Sequence, residues 1–166
     1  NLQALANQGT SLQSHRGGTG EVRYEEVELC DAAGTATTLF TADDTLVVRA
    51  DYRATKAVER PVFQVAIVDV DTGVIVTTAS SVNGAVPAMV DGPGAIEIRF
   101  GHLPLRPRQY VLRLSIMDAF QLASYDQVVA GPRFAVTGQG GGVDSLADEQ
   151  DGLVSVPYEV THRGPR

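Results

Sequence analysis

Thr45-Leu46-Val47-Val48-Arg49-Ala50-Asp51-Tyr52-Arg53-Ala54 is the stretch whose reading decides the fold. Leu46, Val48, Ala50 and Tyr52 share one parity, and Val47, Arg49, Asp51 and Arg53 share the other. An apolar period of two is that of a β-strand with one face on a core and the other in water. Such half-buried strands belong to antiparallel sheets, which tolerate a solvated face.

The same texture continues on both sides. In residues 22–30 Val22 and Tyr24 have one parity while Val27 and Leu29 have the other, so a β-bulge is expected between them. Asp31-Ala32-Ala33-Gly34 has turn chemistry. Pro61 precedes a run over 62–70, and Asp71-Thr72-Gly73 then turns the chain into 74–78, which predicts a hairpin. Residues 83–94 hold Gly84, Gly92, Gly94, Pro87 and Pro93 and read as a long loop. Ile96, Ile98 and Phe100 resume the alternation. Beyond Pro104 and Pro107, Tyr110, Leu112, Leu114 and Ile116 oppose Val111, Arg113, Ser115 and Met117. One or two short strands are expected in 125–136.

About eight or nine short strands, with turn signals roughly every ten residues and almost no helical pattern, predict an all-β fold: an antiparallel β-sandwich. Residues 17–137 are read as that sandwich. The chain opens with Asn1 rather than Met, so residues 1–16 are read as a linker or short helix from an upstream domain. Residues 138–152, with Gly138, Gly140, Gly141 and Gly142 and an acidic run, read as a flexible tether. Residues 153–166 read as a strand, alternating Val154, Val156, Tyr158 and Val160, with a tail.

The 166 residues are 43% apolar and 20% charged, ordinary for a globular domain. Twenty acidic against 13 basic residues give a net charge of -7, whose field would repel nucleic acid and anionic membrane alike. Cys30 is the one cysteine, so no internal disulfide forms, and a reducing compartment is favoured. No apolar run approaches the ~20 residues that span a bilayer.

Motifs with chemical meaning are few. Asp69-Val70-Asp71-Thr72-Gly73 lacks the remaining ligands and distal Glu of a calcium loop, and reads as a turn. His15, His102 and His162 have no metal-ligand spacing, so no metal site is expected. The glycine-rich stretches lack the lysine of a phosphate-cradling loop. Ser80, Ser81 and Ser124 lack the context of a nucleophile elbow. Glycoside hydrolysis needs two carboxylates about 5–10 Å apart; Asp51 and Asp118 would meet that only by chance. No catalytic residue and no cofactor are expected.

One ordered set of features goes further. Gly17-Gly18-Thr19-Gly20-Glu21-Val22 leads into a strand that ends at Asp31-Ala32-Ala33-Gly34. Then come 45–52, Pro61-Val62-Phe63-Gln64-Val65-Ala66-Ile67-Val68-Asp69, Leu103-Pro104-Leu105 and Gln109-Tyr110-Val111-Leu112-Arg113-Leu114. In order and spacing this resembles, over residues 17–136, the C-terminal carbohydrate-binding domain of the Wzt-type ATPase subunit of O-antigen polysaccharide ABC transporters. The resemblance implies an immunoglobulin-like sandwich with a groove on one sheet. It implies recognition of the terminus, modified or anionic, of a lipid-linked glycan before export. It also implies a homodimer that exchanges its last strand, with an upstream ATPase domain, a transmembrane export subunit, and a cytoplasmic location at the inner membrane through the transporter. The family often closes its final strand with an aromatic residue, a place that here falls to Tyr158 or to none.

The expected site is the polar face of residues 46–54. If 62–70 and 109–118 join that sheet, Arg49, Asp51 and Arg53 share a face with Gln64, Arg113 and Ser115. Amide, carboxylate and guanidinium groups at fixed spacing suit sugar hydroxyls, and arginine forks suit an anionic cap. The same pattern also describes an ordinary solvated sheet face. Tyr52, Phe63 and Tyr110 lie on apolar stripes and read as core; for Tyr24, Phe120, Tyr125 and Tyr158, sugar stacking stays open. Two other functions compete: an immunoglobulin-like interaction domain without a sugar ligand, and a sandwich-fold hydrolase.

Overall fold

The alternation at Leu46 runs further than its apolar residues indicate. In the computed structural model, which describes residues 16–83 and 86–138, this strand spans Leu46–Glu59. In chain order the strands are β1 (Arg16–Gly17), β2 (Val22–Cys30), β3 (Leu39–Thr41), β4 (Leu46–Glu59) and β5 (Val62–Asp69). β6 (Ile75–Ser80), β7 (Met89–Phe100), β8 (Gln109–Met117), β9 (Ser124–Val128) and β10 (Arg133–Thr137) follow. A single 3-10 turn, Ser81–Asn83, is the only helical element among the described residues.

The strands form two sheets. The smaller has the order β2-β4-β7, antiparallel throughout. The larger is centred on β8. β5 pairs along one side of β8 and carries β6 beyond it. On the other side β9 pairs residues 114–117 and β10 pairs residues 109–111. β1 extends β9, and β3 lies parallel to β10. The fold is the all-β sandwich expected. The bulge between Tyr24 and Glu26 and the hairpin at Asp71-Thr72-Gly73, with Gly73 at φ +70°, both form.

The inward parities meet in one core. Val22, Tyr24, Leu46, Val48 and Ala50 of the small sheet pack on Phe63, Val65, Ile67, Tyr110, Leu112 and Leu114 of the large one. Phe63 sits between Tyr24, with ring centroids 6.2 Å apart, and Tyr52, at 4.8 Å, so three rings clamp the sheets together. Tyr24 is thus a core residue, and its hydroxyl donates to the Ser115 carbonyl. Tyr110 stacks on Phe134 and donates its hydroxyl to the Arg106 carbonyl at 2.9 Å. That bond is the corner typical of immunoglobulin-like sandwiches; burial pushes the phenol up to about 12.

Two expectations are corrected. Most of residues 83–94 is not loop: β7 starts at Met89 and pairs with β4 through Met89, Val90 and Gly92-Pro93-Gly94, the register shifting at Asp91. Proline is tolerated there because β7 is an edge strand, where a missing N–H breaks no ladder. Gly92 takes a left-handed φ of +74°, and Gly94 lies so close under Tyr52 that a Cβ would overlap the ring. The second correction concerns the sheets: β4 lies in one, β5 and β8 in the other. The helix expected early in the chain, the tether beyond 138, and the last strand with Tyr158 lie outside the described residues.

Candidate functional site

On the outer face of the large sheet, strand register aligns four polar residues across four strands and ends the row at a glycine of β1. Ser80 of β6 faces Gln64 of β5, Gln64 faces Ser115 of β8, Ser115 faces Gln127 of β9, and Gln127 faces Gly17 of β1. One step along, Thr78, Ala66 and Arg113 make a parallel row. The outward parity of β5 and β8 follows from the apolar residues that alternate with these positions and fill the core. Ala66 is small, which leaves the sheet concave between Arg113 and Thr78. Gln64, Ser115, Gln127, Thr78, Ala66 and Arg113 line a groove of about 320 Å³, walled by Ile75 and Val129.

Hydrogen bonds hold part of this floor in place. The Ser115 hydroxyl donates to Gln64 Oε1 at 3.1 Å, and Gln64 Nε2 donates to Gln121 Oε1 at 2.8 Å. Gln64 is thereby oriented, which fixes the face it offers to a ligand. Arg113 is exposed, is the one charged residue lining the groove, and makes no hydrogen bond or ion pair among the described residues. An unpaired guanidinium in an acidic protein is a local attraction for carboxylate or phosphate.

The six residues expected to form one face are split between two. Gln64, Arg113 and Ser115 meet in the groove. Arg49, Asp51 and Arg53 lie on the outer face of the small sheet, on the opposite side of the sandwich. There Arg49 and Arg53 are already paired across strands. Arg49 donates to Glu97 at 3.1 Å and Arg53 to Glu25 at 2.6 Å. The bond to Glu97 holds the Arg49 guanidinium still more firmly protonated. So engaged, the Arg49 and Arg53 guanidinium groups have little left to offer an anionic ligand. Asp51 on β4 and Asp118 beyond β8 likewise belong to different sheets.

Gln127 and Thr78 were not singled out by the sequence. Gln127 was legible in part, since Asp126 and Val128 point inward and leave it outward, but only pairing with Ser115 places it in the row. Asp126 itself is fully buried. It accepts two bonds from Arg16, both at 2.7 Å, and one from the Tyr24 amide at 2.9 Å. It secures β1, and so the end of the row, to the sandwich. No cluster of three metal-ligating side chains occurs among the described residues.

Comparison with known proteins agrees with this architecture. The sequence matches the Wzt C-terminal domain over residues 13–154. The chain belongs to the Wzt C-terminal domain family. A crystal structure of the C-terminal domain of Wzt superposes with a TM-score of 0.71 at 14% identity, covering 90% of this chain and 88% of that one. At that identity it is the fold that the superposition shares with the Wzt domain. A Niemann-Pick type C2 protein from the Japanese carpenter ant is less similar, with a TM-score of 0.48, 9% identity, and 74% and 98% of the two chains covered. No curated protein is matched by sequence. Among the described residues of this Wzt-family domain, no helix is long and apolar enough to cross a membrane.

Proposed function

We propose that this domain is a non-catalytic module that reads the terminus of a lipid-linked O-antigen polysaccharide for an ABC exporter, in the groove of the large sheet. The observation that carries the reading is the row of Ser80, Gln64, Ser115 and Gln127 beside Arg113, which has no partner among the described residues. Amide and hydroxyl groups in a row match the paired donors and acceptors of vicinal sugar hydroxyls. The guanidinium matches an anionic terminal group, a carboxylate or phosphate cap. At about 320 Å³ the groove is at the small end of ligand sites, suited to one terminal sugar rather than to a long chain segment. Binding without turnover is favoured because acid–base hydrolysis of a glycoside needs two carboxylates, and the charge lining this groove is an arginine. An ATPase domain upstream and a transmembrane export subunit complete the reading, and they would hold the domain at the cytoplasmic side of the inner membrane.

The test is calorimetric titration with O-antigen glycans carrying neutral, carboxylate and phosphate termini. Arg113→Ala is expected to weaken binding about tenfold or more, since a charge-assisted bond contributes roughly 1.5–3 kcal/mol. Arg49→Ala, on the opposite sheet, is expected to leave it unchanged. The reverse pattern, with circular dichroism showing both variants folded, would move the site to the small sheet.

The proposal extends to a homodimer in which residues 153–161 pair with the partner's sandwich. Among the described residues β6 pairs only with β5, so one of its edges is open to a further strand.

A further inference from the structure

The described part of the chain contains nine aromatic side chains, and eight of them are spent on the core. Tyr24, Phe40, Phe63, Tyr110 and Phe134 are buried in it, and Tyr52, Phe100 and Tyr125 pack against it. Phe120 is the exception, 80% exposed, with Leu122 beside it at 86%. Two large apolar side chains in water need a reason when the backbone that carries them is held stiffly, and here it is. Asp118 Oδ1 accepts the amides of Leu122 at 2.7 Å and Ala123 at 2.9 Å. The Asp118 amide donates to the Ala123 carbonyl, and the Gln121 amide donates to the Asp118 carbonyl. Gln121, between the two apolar residues, is held at φ +56°, a left-handed conformation that a non-glycine residue keeps only when its surroundings enforce it.

The loop is also placed where a ligand would reach it. It closes the β8–β9 hairpin, the two strands that supply Ser115 and Gln127 to the groove floor. The Gln121 side chain accepts from Gln64, which lines the groove. The groove itself has no aromatic lining residue. A pyranose has a face of C–H groups that packs on the negative face of an aromatic ring, and polar rows alone leave that face unmatched.

We propose that Phe120, with Leu122 beside it, is a stacking platform for the sugar that precedes the terminal one, forming a second subsite at the hairpin end of the groove. The inference rests on the groove reading above, but its contribution is separable. A capped monosaccharide fills the groove alone, whereas an oligosaccharide with the same cap extends over the loop. The loop offers Asp118 and no cation, which disfavours an anionic lipid surface as the alternative occupant.

The experiment titrates the full chain with phosphate- or carboxylate-capped monosaccharides and with short oligosaccharides bearing the same caps. Phe120→Ala is expected to weaken oligosaccharide binding about tenfold and to leave monosaccharide binding unchanged, while Arg113→Ala weakens both. Phe120→Trp should keep oligosaccharide affinity. Because the chain contains no tryptophan, the indole emission should shift with the oligosaccharide and not with the monosaccharide. If Phe120→Ala alters neither affinity while Arg113→Ala reduces both, the platform is overturned and the groove stands. If Arg113→Ala alters neither, or no capped sugar binds, both readings fall together. An emission shift with phosphatidylcholine vesicles and none with sugars would overturn the platform in favour of a lipid contact.

Discussion

Two carboxylates show how one residue type serves different ends according to burial. Asp126 is fully buried, and its Arg16 partner is largely so, with 15% of the side chain exposed. Removing the charge strands a buried guanidinium, so Asp126→Asn is expected to cost about 3 kcal/mol in urea unfolding. Glu97→Gln, which breaks the exposed pair with Arg49, should cost under about 1 kcal/mol, because water and salt already screen it. Equal losses for the two would refute the distinction. Asp118 works through the backbone. The amides it accepts, that of Ala123 foremost, hold its carboxyl below the ordinary 3.8. A carboxyl with a lowered folded-state pKa stabilises its loop fully above the unfolded value of 3.8 and loses that contribution as pH falls through the lower folded value. The Leu122 and Ala123 amide resonances should therefore titrate with a midpoint below 3.8; a midpoint at or above it would show that the carboxyl does not brace the loop.

At the scale of the strand, β7 shows turn chemistry absorbed into a sheet. Asp91-Gly92-Pro93-Gly94 carries strong punctuation, yet eleven residue pairs align β7 with β4, and a bulge takes up the irregularity between Ala54 and Val58. Tyr52 packs over Gly94, so the missing side chain becomes the seat of an aromatic ring. Gly94→Ala would push Tyr52 off that seat and disturb its contact with Phe63, an overpacking change expected to cost about 1–3 kcal/mol by denaturant unfolding. An unchanged or raised stability would mean that the ring moves freely. β8 is the simpler case: its inward residues bind both halves of the large sheet to the core, and its outward Arg113 and Ser115 face the groove.

For the whole molecule, the division into two sheets matters most, because it separates two polar faces of different character. The small sheet's face carries charges of both signs, with Arg49 and Arg53 held in cross-strand ion pairs. The large sheet's face is a concave row of amides and hydroxyls with one free cation among its described lining residues. The proposed strand exchange also belongs to this scale. Truncation after Gly138 is expected to convert a dimer to monomer or aggregate, the latter through an uncovered edge. A truncated protein that remains a well-folded dimer by light scattering would exclude the exchange.

Period-two alternation in residues 46–54 and 109–117 determined strand identity and which side chains point inward, because burial on a pleated strand leaves a direct trace in composition. The hairpin at Gly73 and the bulge near Glu25 were legible for the same local reason, as was the outward set Gln64, Arg113 and Ser115. Partnership between strands leaves no such trace. A polar outward residue reads the same on either sheet, so the sequence could not separate Arg49 and Arg53 from Arg113, nor bring Gln127 beside Ser115. Only the tertiary pairing decided that. It also decided that Tyr24 and Phe120, both aromatic and both near turns, part company, one clamped between the sheets and the other held out in water.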